Sequence, residues 1–452
     1  MGIIFTLIVI AWVVYMIVKR HYPQAVLLIA GMALLTWAVL INGSGILGAK
    51  ATTHSPFMDI FQTIQSIMSS RAAGLGLTIM SIAGFAKYME YLGASKALFS
   101  VVATPIKKVN SPYVLLALTF YMSQFLVLFI PSHAGLAMLL MVTMYPILIR
   151  AGVSKLSALG VIGCAQYMDV GPGSGNCILA ANVAGLDPAV YFVQYQLPIF
   201  ATTTVVLGVV HYFVQKWWDK RDGFVAGMAN VHIDEDESEE PPKIFAILPI
   251  IPMIFILGFS PLFNSPIKIN VVTAMFLSTF IAMVFQFFRI KKFGETIESL
   301  KNMFNGMGTS FATVISLIVS GEVFAAGLVK IGAVDALTTS AQNMGLGEYA
   351  LIIIFCFVIA GCAFLMGSGN AAFFSFAAMV PSIAASMKIP ALALLLPMQI
   401  MTSFGRVVSP IAGAIVAIAG IAEVSTVDIV KRTAIPMAVA AIINIVFIFI
   451  NF

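Results

Sequence analysis

Long apolar runs separated by short polar stretches dominate the chain. Phe5–Val18, Val26–Ile41, Leu197–Val214, Ile269–Phe288 and Ala434–Phe449 are long enough, or nearly so, to cross a bilayer as helices. An outer-membrane barrel is excluded, because its strands would alternate over ~10-residue segments. The pattern predicts helices near 3–18, 24–41, 72–92, 155–184 and 192–214, and again near 245–259, 269–288, 309–330, 391–420 and 433–450. Those at 155–184 and 391–420 are broken internally by Gly, Ser and Pro. Two further stretches, 112–149 and 349–385, read as re-entrant hairpins. Each arm offers only ~15–18 apolar residues, slightly short for a crossing, and each turn is small and polar; two full crossings is the alternative for each. Segments 56–70 and 291–307 read as amphipathic helices lying at the membrane interface.

One long polar stretch, 215–243, holds Lys216, Lys220 and Arg221, the acidic run Asp234–Glu240, and Pro241-Pro242. It reads as a flexible cytoplasmic linker between a first repeat, 1–214, and a second, 244–452. The halves share spaced features. Pro172 precedes Pro198 by 26 residues, as Pro410 precedes Pro436; Tyr145-Pro146 mirrors Val380-Pro381, and Leu92-Gly93-Ala94 mirrors Ile331-Gly332-Ala333. The expected fold is an all-α polytopic membrane protein. Each half has five transmembrane helices, one of them broken, plus one re-entrant hairpin. Five is odd, so the halves form an inverted repeat. Placing Lys19-Arg20 inside also places Lys107-Lys108, Arg150, Lys155, Lys216, Arg289, Lys291, Lys431 and Arg432 inside, as basic residues prefer. Both termini are then periplasmic. No basic region precedes the first apolar run, and Lys19-Arg20 follows it, which suits a retained helix rather than a cleaved signal.

Composition agrees with a bilayer setting: 60% of residues are hydrophobic, 10% are charged, and mean hydropathy is +1.02. The net charge of +5 comes without a basic patch bearing interleaved aromatics, so no nucleic-acid partner is implied. Cys164, Cys177, Cys356 and Cys362 lie in apolar segments without metal-type pairing and read as core residues. Trp217-Trp218 reads as an interface anchor. No nucleophile–base arrangement, metal-type histidine spacing or nucleotide loop argues for an enzyme. Interrupted backbone in an apolar stretch survives only inside protein or beside water. One such break per half is a pointer to a transporter's binding site. The tetrapeptide Gly-Ser-Gly-Asn occurs twice, at 173–176 and 367–370. Proline alignment matches the first copy to Pro410–Gly413 and the second to Pro131–Gly135, so the two copies are not repeat partners.

Asn110-Ser111-Pro112-Tyr113, Gly367-Ser368-Gly369-Asn370-Ala371, Gly405-Arg406 with Ser409-Pro410, and Val430-Lys431-Arg432-Thr433 give the chain a further character. It resembles the anaerobic C4-dicarboxylate carriers of the DcuC type, of the ion-transporter superfamily, through nearly its whole length. The resemblance implies a homodimer in the bacterial inner membrane. It also implies a scaffold, an elevator-like transport domain built from the hairpins and broken helices, and succinate, fumarate, malate or aspartate as substrate.

A dicarboxylate needs donors and positive potential, which converging helix N-termini provide. The candidates are Ser132, His133 and Ala134 at the first tip, and Ser368, Gly369 and Asn370 at the second. Gly173, Ser174, Gly175 and Asn176 come from the first broken helix, and Arg406, Ser409, Pro410 and Gly413 from the second. Arg406 suits a bidentate carboxylate contact or a structural pair with Asp169. Asp169 and His133 depart from the family pattern, which has apolar or small residues there and an acidic residue where Asn176 stands. Asp169 is therefore a coupling candidate for H+ or Na+, as is His133, whose alternative is a neutral hydrogen-bonding role. Glu322, inside an apolar helix, is a further coupling candidate or a structural contact. No bound cofactor is implied. The same fold carrying another anion or an amino acid, and a cation/proton antiporter using Asp169, remain alternatives.

Overall fold

In this computed structural model, residues 2–42, 46–48, 51–109, 111–224, 241–333, 336 and 348–451 are described. Asn110 and the acidic run Asp234–Glu240 lie outside the described residues. The described residues are helical, without a strand. Among the described residues, seven helices are long and apolar enough to cross a membrane, or eight if the pair Gly369–Ala377 and Val380–Met387, bent by 57°, counts as one. The helices Ile4–Ile17 and Lys243–Gly258, expected as crossings, are apolar but shorter.

The expected interfacial segments are corrected. Residues 58–71 run into 77–92 as one 35-residue helix, Met58–Leu92, and residues 293–310 run into 316–330 as a 38-residue helix, Phe293–Lys330. No proline interrupts either stretch. Each junction is absorbed by a π-turn, Ala72–Gly76 and Phe311–Ile315, which widens the helix without ending it. The two long helices lie against each other, and their π-turns touch. Both long helices stop at a left-handed glycine, Gly93 (φ 73°) and Gly332 (φ 76°), a backbone conformation that costs glycine nothing.

Close backbone approach holds this group together. A Cβ on Gly306 would meet the Ala83 carbonyl at 2.9 Å, and one on Gly84 the Met303 carbonyl at 2.8 Å. Helix Pro23–Asn42 crosses 316–330 in the same way, Gly31 against the backbone of Phe324 and Gly327 against Leu34. Without a hydrophobic drive between helices in lipid, such small-residue crossings supply the packing energy.

A second group comprises 112–221 and 348–451. Its shorter helices are Pro112–Leu126, His133–Thr143, Tyr145–Arg150, Lys155–Gly163, Gly175–Ala184, Leu392–Val407 and Gly413–Ala422. The break expected in 155–184 falls at 164–174, and that in 391–420 at 408–412. Helix Glu348–Met366, read as a hairpin arm, contains an 18-residue stretch long enough to cross. Segment 94–108, not anticipated as structured, forms a helix and a short 3-10 turn.

The boundary at 215 is also corrected, because helix Pro188–Arg221 continues through it. The cause is a buried ionic knot. Arg432 donates to Asp219 at 2.7 Å, to Ser157 at 2.8 Å and to Asp222 at 2.6 Å. Ser154 and Tyr113 each donate to Asp219, at 2.6 and 3.1 Å, while Gln215 donates to the Arg432 carbonyl at 3.0 Å. Gln215, Asp219 and Arg432 are all buried. The start of the first hairpin, the first broken helix, 188–221 and the last helix are thereby fixed to one another.

The glycine crossings make a paired prediction. Gly306→Ala should destabilise the protein by about 1–3 kcal/mol through overpacking. Gly308→Ala, where a Cβ meets nothing within 4 Å, should be neutral or stabilising by about 0.4–1 kcal/mol. Unfolding midpoints of the purified variants give the comparison; equal midpoints would contradict the close crossing.

Candidate binding site at the helix breaks

Four segments meet around one ion pair. Gly163 ends helix 155–163, and the chain then runs without regular structure to Ser174. Asp169 sits in this stretch, 3% exposed. Arg406, 7% exposed, lies in the last turn of helix 392–407. A helix C-terminus is a favourable place for a cation. Its Nη1 reaches Asp169 Oδ2 at 3.2 Å, and its Nη2 donates to the Gln166 carbonyl at 3.0 Å. Asp169 also accepts from Gln166 Nε2 at 2.6 Å and from Asn176 Nδ2 at 2.8 Å. These bonds offset part of the desolvation of both charges, as a buried pair requires.

The hairpin tips join this centre through side chains and backbone. Asn176 Nδ2 lies 3.3 Å from Asn370 Oδ1, which links the first break to the second tip. His133 Nε2 is 3.0 Å from the Gly163 carbonyl, which links the first tip to the end of helix 155–163. Gly369 lies so close to the second broken helix that a Cβ there would meet the Thr402 carbonyl at 2.8 Å. Gly367 is left-handed (φ 64°) and abuts the Ile411 backbone.

Other candidates have different local work. Ser132 and Ser368 are N-caps, their hydroxyls accepting from the amides of Gly135 and Ala371 at 3.1 and 3.2 Å. That satisfies orphan amides at each helix start; Ala134 follows in the first turn of helix 133–143. Ser409 donates to the Phe364 carbonyl at 2.7 Å, tying the second break to the second tip. Ser174, buried, holds the N-cap position of 175–184, while a Cβ on Gly175 would touch Phe374 and Ile79. Gly173 and Gly413 face open space, and Pro410 lies in the turn before Gly413. Gly173 opens toward an apolar crevice with Leu128, Phe129 and Pro131 instead of Arg406. Glu322 pairs with Arg71 at 2.5 Å across the two long helices, outside the Asp169–Arg406 network.

Several amides belong to the site without having been anticipated. Gln196 lies in the π-turn Phe192–Gln196 and is fully buried. It donates to the Asp169 carbonyl and accepts from the Gly171 amide, each at 2.9 Å, so it clamps the break from both sides. Gln399 accepts from Tyr191 at 2.5 Å and from Gln196 at 3.2 Å. The signal was glutamine within an apolar run: Gln196 follows Gln194 by two residues, and Gln399 lies two helical turns before Arg406. Arg406 Nε, Gln399 Nε2, Gln166 Oε1 and Asn176 Oδ1 are buried without a protein partner among the described residues.

Comparison with known proteins adds to this geometry. The family model for the C4-dicarboxylate anaerobic carrier, DcuC, matches residues 1–452. A probable anaerobic C4-dicarboxylate transporter DcuC of Vibrio cholerae is 32% identical over 434 residues, covering 96% of this chain and 94% of the relative. The anaerobic C4-dicarboxylate transporter DcuC of Escherichia coli K12 is 30% identical over 439 residues, covering 97% and 94%. Among solved structures, the YdaH transporter of Alcanivorax borkumensis superposes with a TM-score of 0.69 at 13% identity, over 95% of this chain and 98% of that one. MtrF of Neisseria gonorrhoeae gives 0.60 at 14% identity, over 95% of each chain. At those identities the likeness is one of fold.

The ion pair yields a stability prediction. Arg406→Gln and Asp169→Asn should each destabilise by about 3–5 kcal/mol, since each strands a buried partner. The double variant should be less destabilised than the sum by about 1–3 kcal/mol. Denaturation of the four proteins measures the cycle, and strict additivity would contradict the pairing.

Proposed function

The chain belongs to the family of C4-dicarboxylate anaerobic carriers, which are transporters and not enzymes, and on that premise we propose that it is a secondary active carrier for C4-dicarboxylates such as succinate, fumarate, malate or aspartate. The observation that carries this reading is Arg406, a buried cation at the junction of both broken helices, with Nε lacking an acceptor among the described residues. One substrate carboxylate takes Arg406; helix starts at His133, Gly175, Gly369 and Gly413 supply N–H groups and positive potential to the dianion.

Asp169 occupies Arg406 when no substrate does. Bound beside it, a dianion meets a third negative charge, so Asp169 must be neutralised by a proton or Na+ or swung away. That requirement couples transport to an ion, with Asp169 as the coupling group and His133 as its neighbour at the first tip. The body containing 112–221 and 348–451 is cross-linked by polar bonds, whereas its contacts with the other group include Gly321 on Ser375 and Gly175 near Ile79. Small, apolar contacts suit a sliding seam, so we assign the former to an elevator-type transport domain and the latter to the scaffold. The halves are assigned as an inverted repeat, in a homodimer of the inner membrane with periplasmic termini. A second reading, a cation/proton antiporter, is favoured by the ion pair itself: Asp169 would carry the ion and Arg406 would be structural.

Proteoliposome uptake separates the two readings. Labelled succinate or fumarate should accumulate under a counter-substrate or ion gradient. Arg406→Ala should cut uptake about 10- to 100-fold, since a charged hydrogen bond contributes roughly 1.5–3 kcal/mol. Uptake unchanged in Arg406→Ala would remove its substrate role. Absence of saturable dicarboxylate uptake, with cation flux that needs Asp169, would establish the antiporter.

A further inference from the structure

Two cavities flank the proposed transport domain, and they occupy corresponding places. The first lies between the first tip (Leu128, Phe129, Pro131), Gly173 at the first break, helix 243–258 with Pro249, Pro252 and Met253, and Ile82 and Phe85 of the long helix Met58–Leu92. The second lies between the second tip (Leu365, Met366), Ile411 at the second break, and the turn joining the first two helices, with Ile17, Arg20, His21 and Pro23. Each is lined by one half's tip and break and by part of the other half's opening helices, the first also by the long helix of its own half. They differ in size and chemistry. The first has a volume of about 30 Å³ and is lined by apolar side chains; the second is about 200 Å³ and carries Arg20 and His21. A water's share of liquid volume is roughly 30 Å³, so the first has room for about one water and the second for several.

The Arg20–His21 turn is built, not frayed. The Arg20 amide bonds the Ile17 carbonyl at 2.9 Å and the His21 amide bonds the Met16 carbonyl at 3.1 Å. Arg20 takes the left-handed conformation (φ 63°), reversing the chain into Pro23. Both side chains are exposed, and neither is ion-paired to a carboxylate among the described residues. An unpaired arginine near a membrane surface also suits a lipid phosphate. Here, however, the cavity's opposite wall is Met366 and Ile411, four residues before Asn370 and five residues after Arg406 in the chain.

We propose that this cavity is the substrate's entry vestibule on the side bearing Arg20 and His21, and that these two residues concentrate dicarboxylate anions beside the second tip. The inference rests on the carrier reading above. A guanidinium at the wall of a confined opening raises local anion concentration and association rate, and an imidazole beside it can add a hydrogen-bond donor. Arg20 and His21 are positioning residues: they act on arrival, not on binding at Arg406.

The test uses charge-selective thiol labelling of the full chain in vesicles of neutral lipid, which removes anionic headgroups as competitors. Met366→Cys should react faster with a sulfonate-bearing methanethiosulfonate than with a neutral one when reagent is added on the Arg20 side. Adding Arg20→Gln and His21→Gln should reduce that preference about three- to tenfold, and Arg20→Lys should restore most of it. In uptake, the same pair should raise KM from that side only, with kcat unchanged and weaker salt dependence. A labelling preference unmoved by the pair, or a KM change equal from both sides, would overturn the vestibule assignment. Because labelling requires no transported substrate, its outcome is independent of whether dicarboxylate uptake is observed.

Discussion

A guanidinium sealed in an apolar body must have an anion beside it, and much of this structure follows from that constraint. Arg406 obtains one from Asp169, which in turn needs Gln166 and Asn176 to satisfy its oxygens. Those bonds need backbone that is not helical, which the 164–174 break supplies, and the break needs Gln196 to hold its carbonyl and amide. The π-turn at 192–196 is part of the helix that brings Gln196 there. Helix breaks, buried amides and the widened turn are thus one solution to a single electrostatic problem.

The two groups of helices are held by different physics. The group carrying the breaks is fastened with directional polar bonds, at Asp169–Arg406 and again in the Asp219–Arg432 knot. The two long helices meet by backbone contact at Gly84 and Gly306 and through the Arg71–Glu322 pair, and helix Pro23–Asn42 crosses one of them at Gly31 and Gly327. Buried ionic bonds fix geometry at the cost of desolvation, whereas small-residue crossings need no polar partner.

Much of this was legible in the residues, and the remainder was hidden for identifiable reasons. Gly, Ser and Pro inside apolar runs point to the breaks, and an arginine and an aspartate in such runs are conspicuous candidates for each other. The continuity of Met58–Leu92 and Phe293–Lys330 was not legible, because a helix half-buried against protein and one lying at a membrane surface have the same amphipathic pattern. Arg432 read as a cytoplasmic cation because a topology count registers charge without burial. Ser132 and Ser368 read as ligand donors, although the same serine–glycine chemistry caps a helix. Gln196 and Gln399 had no spacing motif to announce them; only the fold brings residues 203 positions apart into contact.

The central claim is that Arg406 holds the substrate carboxylate and Asp169 stands in for it. Equilibrium binding of succinate to the purified protein tests this without the complications of turnover. The account predicts that Arg406→Gln weakens binding at least about tenfold, the loss of a charge-assisted contact. Asp169→Asn should bind as tightly as the native protein or more tightly, because the internal competitor has gone. An Arg406→Gln protein that binds succinate like the native one, or an Asp169→Asn protein that loses binding while remaining folded, would contradict it.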